Sequence, residues 1–253
     1  MTAMIADCPS DPAIHNNLLR ALRPDDLALI MPKLSSGVWA AGAILYEPGD
    51  NVHTVYLPAE RSLVAFAIPL HDGRGVETAL IGREGAVGGI VSNGRLPAYA
   101  RCRVQFPGPY YAISSADLEA AKVESLSLRH LFSRYADCVV AQIFQSVACN
   151  AAHSIEQRTA RWLLAAIDRV GEHEVPLTQE QLASMLGVGR SYVSRVIRAL
   201  RERGVLSVRR GHIVVASVEG LEAAACECNV DVRRHFDTVL SGVYPKEVEQ
   251  AAA

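Results

Sequence analysis

Seven arginines between positions 190 and 210 (Arg190, Arg195, Arg198, Arg201, Arg203, Arg209 and Arg210) stand against a single acid, Glu202, giving a local charge of +6 in a 253-residue chain of net charge −2. Guanidinium groups do two kinds of chemistry at a nucleic acid. They pair with phosphate oxygens and displace counterions, and they fork onto O6 and N7 of guanine in the major groove. A solvated arginine-rich helix would carry the same charge, so the decision rests on the elements that hold these side chains.

Residues 179–198, QEQLASMLGVGRSYVSRVIR, have the spacing of two short helices crossing at a steep angle. Such a crossing needs a small residue and a sharp turn. Ala183 supplies the first and Gly187 the second, while Leu182, Leu186, Val188, Val193 and Val196 are spaced to close a small core between the helices. Thr178 and Gln181 form a capping box that starts the first helix, and Gly187 ends it without steric cost. On the second helix, Val193, Val196, Ile197 and Leu200 fall on one side at about 100° per residue. Ser191, Arg195 and Arg198 occupy the opposite side, with Ser194 beside them and Arg190 and Arg201 at a flank. Beyond Gly204, VLSVRRGHIVVA (205–216) reads as a β-hairpin wing. Upstream, Ser154 and Gln157 form a second capping box before an amphipathic helix ending at Gly171. Together these elements predict a winged helix-turn-helix. Its candidate DNA-contacting residues are Thr178, Gln179, Arg190, Ser191, Tyr192, Ser194, Arg195, Arg198, Arg201, Arg209 and Arg210.

Residues 35–115 are β-rich. AILYEP, HTVYLP, SLVAFAIPL, VETALIG and CRVQF are short, rich in β-formers and separated by Gly, Pro, Asp or Asn, and His71-Asp72-Gly73-Arg74-Gly75 reads as a hairpin turn. Before them, NNLLRALRPDDLALIMPKL reads as one or two short helices broken by Pro24 and Pro32. A long helix follows over 116–152, entered through Ser114, Ser115 and Asp117 with a break near Ser125 to Ser127. Its Leu128, Phe132, Tyr135, Val139, Ile143 and Val147 recur at three or four residues, a seam that a second copy could bury.

With these motifs in place, the chain resembles the Crp/Fnr family of bacterial transcription regulators. The resemblance is strongest over LTQEQLASMLGVGRSYVSRVIRALRERGVL (177–206). It is weaker over 42–70, where Gly42, Pro48, Gly49 and Asp50 look like the opening turns of a cyclic-nucleotide-binding-like fold. The resemblance implies an α+β chain. Residues 1–34 form an N-terminal helical segment, 35–115 a jelly-roll-like β-roll, 116–152 a dimerisation helix, 153–218 the winged helix-turn-helix and 219–253 a helical tail. It further implies a homodimer on a two-fold DNA operator, with RNA polymerase as a partner. By position the base-reading residues would be Arg190, Ser191 and Arg195. Ser191 departs from the glutamate of well-known members, and a hydroxyl is more permissive than a carboxylate that accepts from cytosine N4.

The same resemblance addresses an effector. Cyclic-nucleotide-binding members hold the ribose with a glutamate and the phosphate with an arginine. Over GREGAVGGIVSNGRLPAYAR (82–101), Gly89 would replace the first and Tyr99 the second. Losing a charge-assisted bond of roughly 1.5–3 kcal/mol disfavours cyclic AMP, with Arg95 and Arg101 as the cations a shifted loop could use instead. No cofactor is expected.

Of the cysteines Cys8, Cys102, Cys138, Cys149, Cys226 and Cys228, only the last two stand at metal-ligand spacing, and Cys8 alone cannot supply an N-terminal iron–sulfur cluster. Cys226 and Cys228 could hold half a metal site or form a redox pair. Buried small hydrophobes is the reading preferred for them, and for Cys138 and Cys149, and no metal site is assigned. His53, His71, His130 and His153 are scattered singly, without the histidine pair of a metal-binding cupin, and no nucleophile elbow, P-loop or dinucleotide fingerprint appears, so the reading is not an enzyme. The near-neutral net charge implies no general stickiness toward nucleic acid. The absence of a roughly 20-residue apolar stretch and of a signal-peptide pattern predicts a cytoplasmic chain with no membrane partner. A ligand- or redox-responsive sensor acting through protein partners is the alternative, and it predicts DNA affinity insensitive to salt.

Overall fold

The computed structural model describes residues 15–71, 75–91 and 96–241. Cys8, Arg95 and the centre of the 71–75 turn lie outside the described residues, as do the first residues of the N-terminal segment and the last of the tail.

The described residues begin with α1 (Asn17–Arg20) and α2 (Pro24–Ile30), followed by a 3₁₀ turn at Met31–Lys33. Proline cannot continue a helix but suits its first turn, and Pro24 opens α2. Asn16 fixes this segment to the sheets behind it. Its Oδ1 accepts from the amides of Leu18 and Leu19, and its Nδ2 donates to the carbonyls of Pro58 and Gly85, both at 2.9 Å.

Seven strands follow: β1 (Ser35–Trp39), β2 (Ile44–Tyr46), β3 (Thr54–Pro58), β4 (Leu63–Pro69), β5 (Gly75–Ile81), β6 (Arg101–Phe106) and β7 (Gly108–Ser114). They form two antiparallel sheets, ordered β1-β7-β3 and β2-β6-β4-β5. The chain therefore alternates between the sheets from β1 to β4, stays in one sheet through β5 and β6, and crosses back at β7. The space between the sheets is packed with side chains. Trp39 stacks on Tyr110 at 4.3 Å, Tyr56 meets both edge-on, and Val64, Ile81, Val87, Cys102 and Val104 complete the filling.

The helical half begins with α3 (Ser115–Glu124) and α4 (Leu126–Ala152), and the break between them falls at Ser125. Ser125 caps α4 by accepting from the Leu128 amide, and the buried Asp26 accepts from both Ser125 and Ser127, tying α2 to the break. One side of helix α4 is internal. Leu128, Phe132 and Tyr135 are almost fully buried in a core shared with α1, β3 and β7. Those three seam positions are thus committed inside the chain, because the apolar stripe at that end of α4 packs on its own β-roll. Val139 and Ile143 are half-buried, whereas Val140, Phe144 and Val147 stand exposed, Phe144 by 69% and Val147 by 64%. Their spacing of four and three keeps them on one face.

After His153, α5 (Ile155–Val170) leads through β8 (Glu174–Val175) to α6 (Gln179–Met185), α7 (Arg190–Glu202), β9 (Leu206–Arg209) and β10 (His212–Val215). The sheet order is β8-β10-β9. The tail forms α8 (Val218–Ala224) and α9 (Cys228–Leu240), and α9 packs back along α4. Among the described residues, no helix is long and apolar enough to cross a membrane.

The β-roll and the C-terminal helices share a core. Leu63, Ala65, Leu80 and Phe106 from the strands lie in the same cluster as Trp162, Leu182, Val193 and Ile213, with Phe106 meeting Trp162 edge-to-face at 6.4 Å. Polar contacts reinforce the joint. Trp162 Nε1 donates to Glu77 Oε1 at 2.6 Å, and the buried Arg169 donates to Leu80 O, Glu84 Oε1 and Gln142 Oε1.

Candidate DNA-binding face

The crossing of α6 and α7 is built as its residue types require. Thr178 Oγ1 accepts from the Gln181 amide while Gln181 Oε1 accepts from the Thr178 amide, which completes the capping box, and the box at Ser154 and Gln157 closes in the same way. Gly187 sits at φ +68°. That left-handed geometry lets the Val188 amide reach Ala183 O and the Gly187 amide reach Ser184 O, a Schellman ending that satisfies the last carbonyls of α6. The buried Arg158 donates to Leu186 O at 2.7 Å and so covers another carbonyl at the turn. Leu182, Ala183, Val193, Ile197 and Leu200 are buried between the helices.

The opposite face of α7 is open. Arg190, Ser191, Tyr192, Arg195, Arg198 and Arg201 are exposed, and the Arg195 guanidinium lies 4.8 Å over the Tyr192 ring. This cation–π contact, weak in water, biases Arg195 toward one direction without neutralising it. Arg190 is within 3.4 Å of Glu180, and both are exposed, so the pair contributes little to stability and is open to exchange for a phosphate. Gly189 caps α7 with no side-chain bond, leaving amides of its first turn available to an anion.

Two of the eleven predicted positions face each other instead of outward. Ser194 Oγ donates to Gln179 Oε1 at 2.8 Å, locking α7 to α6. Thr178 is spent on its cap. Arg209 and Arg210 are exposed at the tip of the β9–β10 hairpin, and a cleft of about 330 Å³ runs between that hairpin and the start of α6, bringing Arg209 and Arg190 to one opening. Glu180 and His212 also line it. Neither was among the predicted residues. His212 is brought there by β10 pairing with β8, a contact between segments distant in the chain.

This local architecture has a counterpart in sequence. Residues 157–224 match the family model of the Crp-like helix-turn-helix domain. No curated protein matches the chain by sequence. Solved structures resemble the fold over most of the chain. FixK2 from Bradyrhizobium japonicum superposes with a TM-score of 0.66 at 16% identity, over 76% of this chain and 98% of that one. CLP from Xanthomonas campestris, described as a c-di-GMP-responsive global regulator, gives 0.61 at 16% identity over 77% and 100%. A CooA mutant from Carboxydothermus hydrogenoformans gives 0.59 at 15% identity over 87% and 96%. The fold is that of Crp/Fnr regulators, with an N-terminal β-sheet unit, a long helix and the Crp-like domain in that order.

The β-roll differs from a nucleotide cradle in what fills it. The aromatic cluster of Trp39, Tyr56 and Tyr110 occupies the space between the sheets. Tyr99 is 88% exposed, and Arg101 is held by Glu47 at 2.8 Å. No helix lies among the described residues of 82–101.

Proposed function

We propose that this chain is a sequence-specific transcription regulator of the Crp/Fnr type that binds a two-fold DNA operator as a homodimer and is not controlled by cyclic AMP. The observation that carries the reading is the open arginine face of α7, set on a helix-turn-helix with its wing arginine at the same cleft. Arg190, Ser191 and Arg195 read base edges, with Tyr192 directing Arg195. Arg198, Arg201, Arg209 and Arg210 meet phosphates. Gln179 and Ser194 hold the two helices in register for that contact, and Thr178 sets where α6 begins.

The dimer seam runs through Val140, Phe144 and Val147, flanked by Val139 and Ile143. Val140, Phe144 and Val147 are apolar residues on one face of α4 that the chain's own core leaves uncovered, and a second copy of α4 is the partner whose two-fold axis matches an operator with half-sites about 34–36 Å apart. Cyclic AMP independence rests on the filled β-roll, the absence of a free cation at Arg101 and the outward Tyr99. A regulator of this kind works on the chromosome in the cytoplasm, beside RNA polymerase, and carries out no catalysis. Selection of bound duplexes from a random pool, with and without cyclic nucleotides, tests the reading. A two-fold consensus recovered equally in both arms is expected, and recovery of no consensus would overturn it.

A further inference from the structure

Three cysteines and a histidine, drawn from two distant segments, converge where α4 ends. Cys149 lies in the last turn of α4 and His153 is its C-cap, four residues on. Cys226 lies in the connection from α8 and Cys228 begins α9. Their Sγ and imidazole nitrogen atoms all lie within 4.8 Å of one another, and the cysteines form a small buried cluster separate from the three hydrophobic cores. Cys149 Sγ is 3.6 Å from Cys226 Sγ, and Cys228 Sγ is 3.5 Å from His153 Nδ1.

Those separations belong to a particular coordination geometry. A tetrahedral zinc ion about 2.3 Å from sulfur and about 2.0–2.1 Å from nitrogen sets its ligands roughly 3.5–3.8 Å apart. Two irons with their bridging sulfides would need a wider spread of donors. All four positions are supplied by protein, which is the closed arrangement of a structural site.

The surroundings fit as well. His153 Nε2 is 3.4 Å from the Glu227 carboxylate, so Nδ1 is left for the ion while the carboxylate orients the ring. Gln145 Nε2 donates toward Cys228 Sγ at 3.1 Å. Zinc with three thiolates carries one negative charge, and the guanidinium of Arg161 lies close enough to Cys149 to act on it electrostatically. Arg161 Nε is buried without a hydrogen-bond partner of its own.

We propose that Cys149, His153, Cys226 and Cys228 form a structural zinc site that clamps the helical tail to the joint between α4 and the Crp-like domain. The three thiols release their protons to water as the ion binds. Because His153 is the residue at which α4 gives way to α5, the ion holds that joint at one angle.

The test uses the full chain. Elemental analysis of protein purified under reducing conditions should find one zinc per chain. Cobalt(II) in its place should give the visible d–d and thiolate charge-transfer bands of a tetrahedral sulfur-ligated ion. Cys226→Ser should abolish those bands. Glu227→Gln, at an exposed side chain whose loss leaves the core intact, should keep the tetrahedral spectrum while weakening zinc affinity roughly 10–100-fold. Reduced protein that takes up no metal, or that carries iron with sulfide, would overturn the assignment, as would zinc held equally well by Cys226→Ser or by Glu227→Gln.

Discussion

Trp162 Nε1 donates to Glu77 Oε1 at 2.6 Å across the joint between β5 and α5, while the other carboxylate oxygen of Glu77 is sealed from solvent without a partner. Burial pushes the Glu77 carboxyl from its ordinary 4.5 up to about 8, against the opposing pull of the Trp162 bond and of Arg161 and Arg169. The folded chain therefore holds a proton there that the unfolded chain releases between those values. Stability should fall as pH rises through that window and level off above it. Glu77→Gln, whose amide mimics the protonated acid, should remove this component of the slope and stabilise the protein at the alkaline end by roughly 1–3 kcal/mol. Denaturant unfolding across the pH range, wild type beside variant, measures it, and parallel curves would contradict the assignment.

Arg195 and Arg209 should differ in kind. Arg195→Ala is expected to cost roughly 1–3 kcal/mol on the selected operator and to relax preference at one base position, whereas Arg209→Ala should weaken operator and scrambled duplex alike and lower the salt slope by about 1. Titration of both variants against both duplexes distinguishes the roles. Equal losses for Arg195→Ala on the two duplexes would remove it from base reading.

Two positions on α4 separate the chain's own fold from its assembly. Phe144→Asp leaves the core untouched and should turn the dimer into a monomer in sedimentation, with operator affinity falling roughly 10²–10⁴-fold as the second half-site contact is lost. Leu128→Ala should instead cost roughly 2–5 kcal/mol of stability. A dimeric Phe144→Asp protein would displace the seam from Val140, Phe144 and Val147.

Cyclic AMP should leave the melting temperature unchanged. A ligand at a hundred times its Kd would add about 2.7 kcal/mol, a shift that thermal unfolding reads easily. Trp39→Ala, by opening the stacked pair with Tyr110, should cost roughly 3–5 kcal/mol whether or not a nucleotide is present.

The helix-turn-helix was legible because its signals are local. Capping at Thr178 and Gln181, the turn at Gly187 and the apolar spacing of α7 each depend on residues a few positions apart. The seam on α4 was less so. A period of three and four identifies an apolar face but not what covers it, and Leu128, Phe132 and Tyr135 turned out to serve the β-roll. The four-ligand cluster was legible only by halves. Cys149 and His153 are spaced to share one side of a helix, and Cys226 and Cys228 are one residue apart, but nothing in the sequence says that α9 folds back onto α4. Treated one at a time, each thiol is an ordinary small hydrophobe.

Phe106, Leu80 and Trp162 belong to one continuous apolar cluster that crosses from strands to helices. A fragment cut at 153 would strip Leu63, Ala65, Leu80 and Phe106 from that cluster and leave the surface they cover bare. The helix-turn-helix part is thus no detachable module. Heat or denaturant should take the β-roll and the Crp-like domain apart in one cooperative step, so damage at a strand position such as Leu63 would be felt at the arginine face as loss of the fold that presents it.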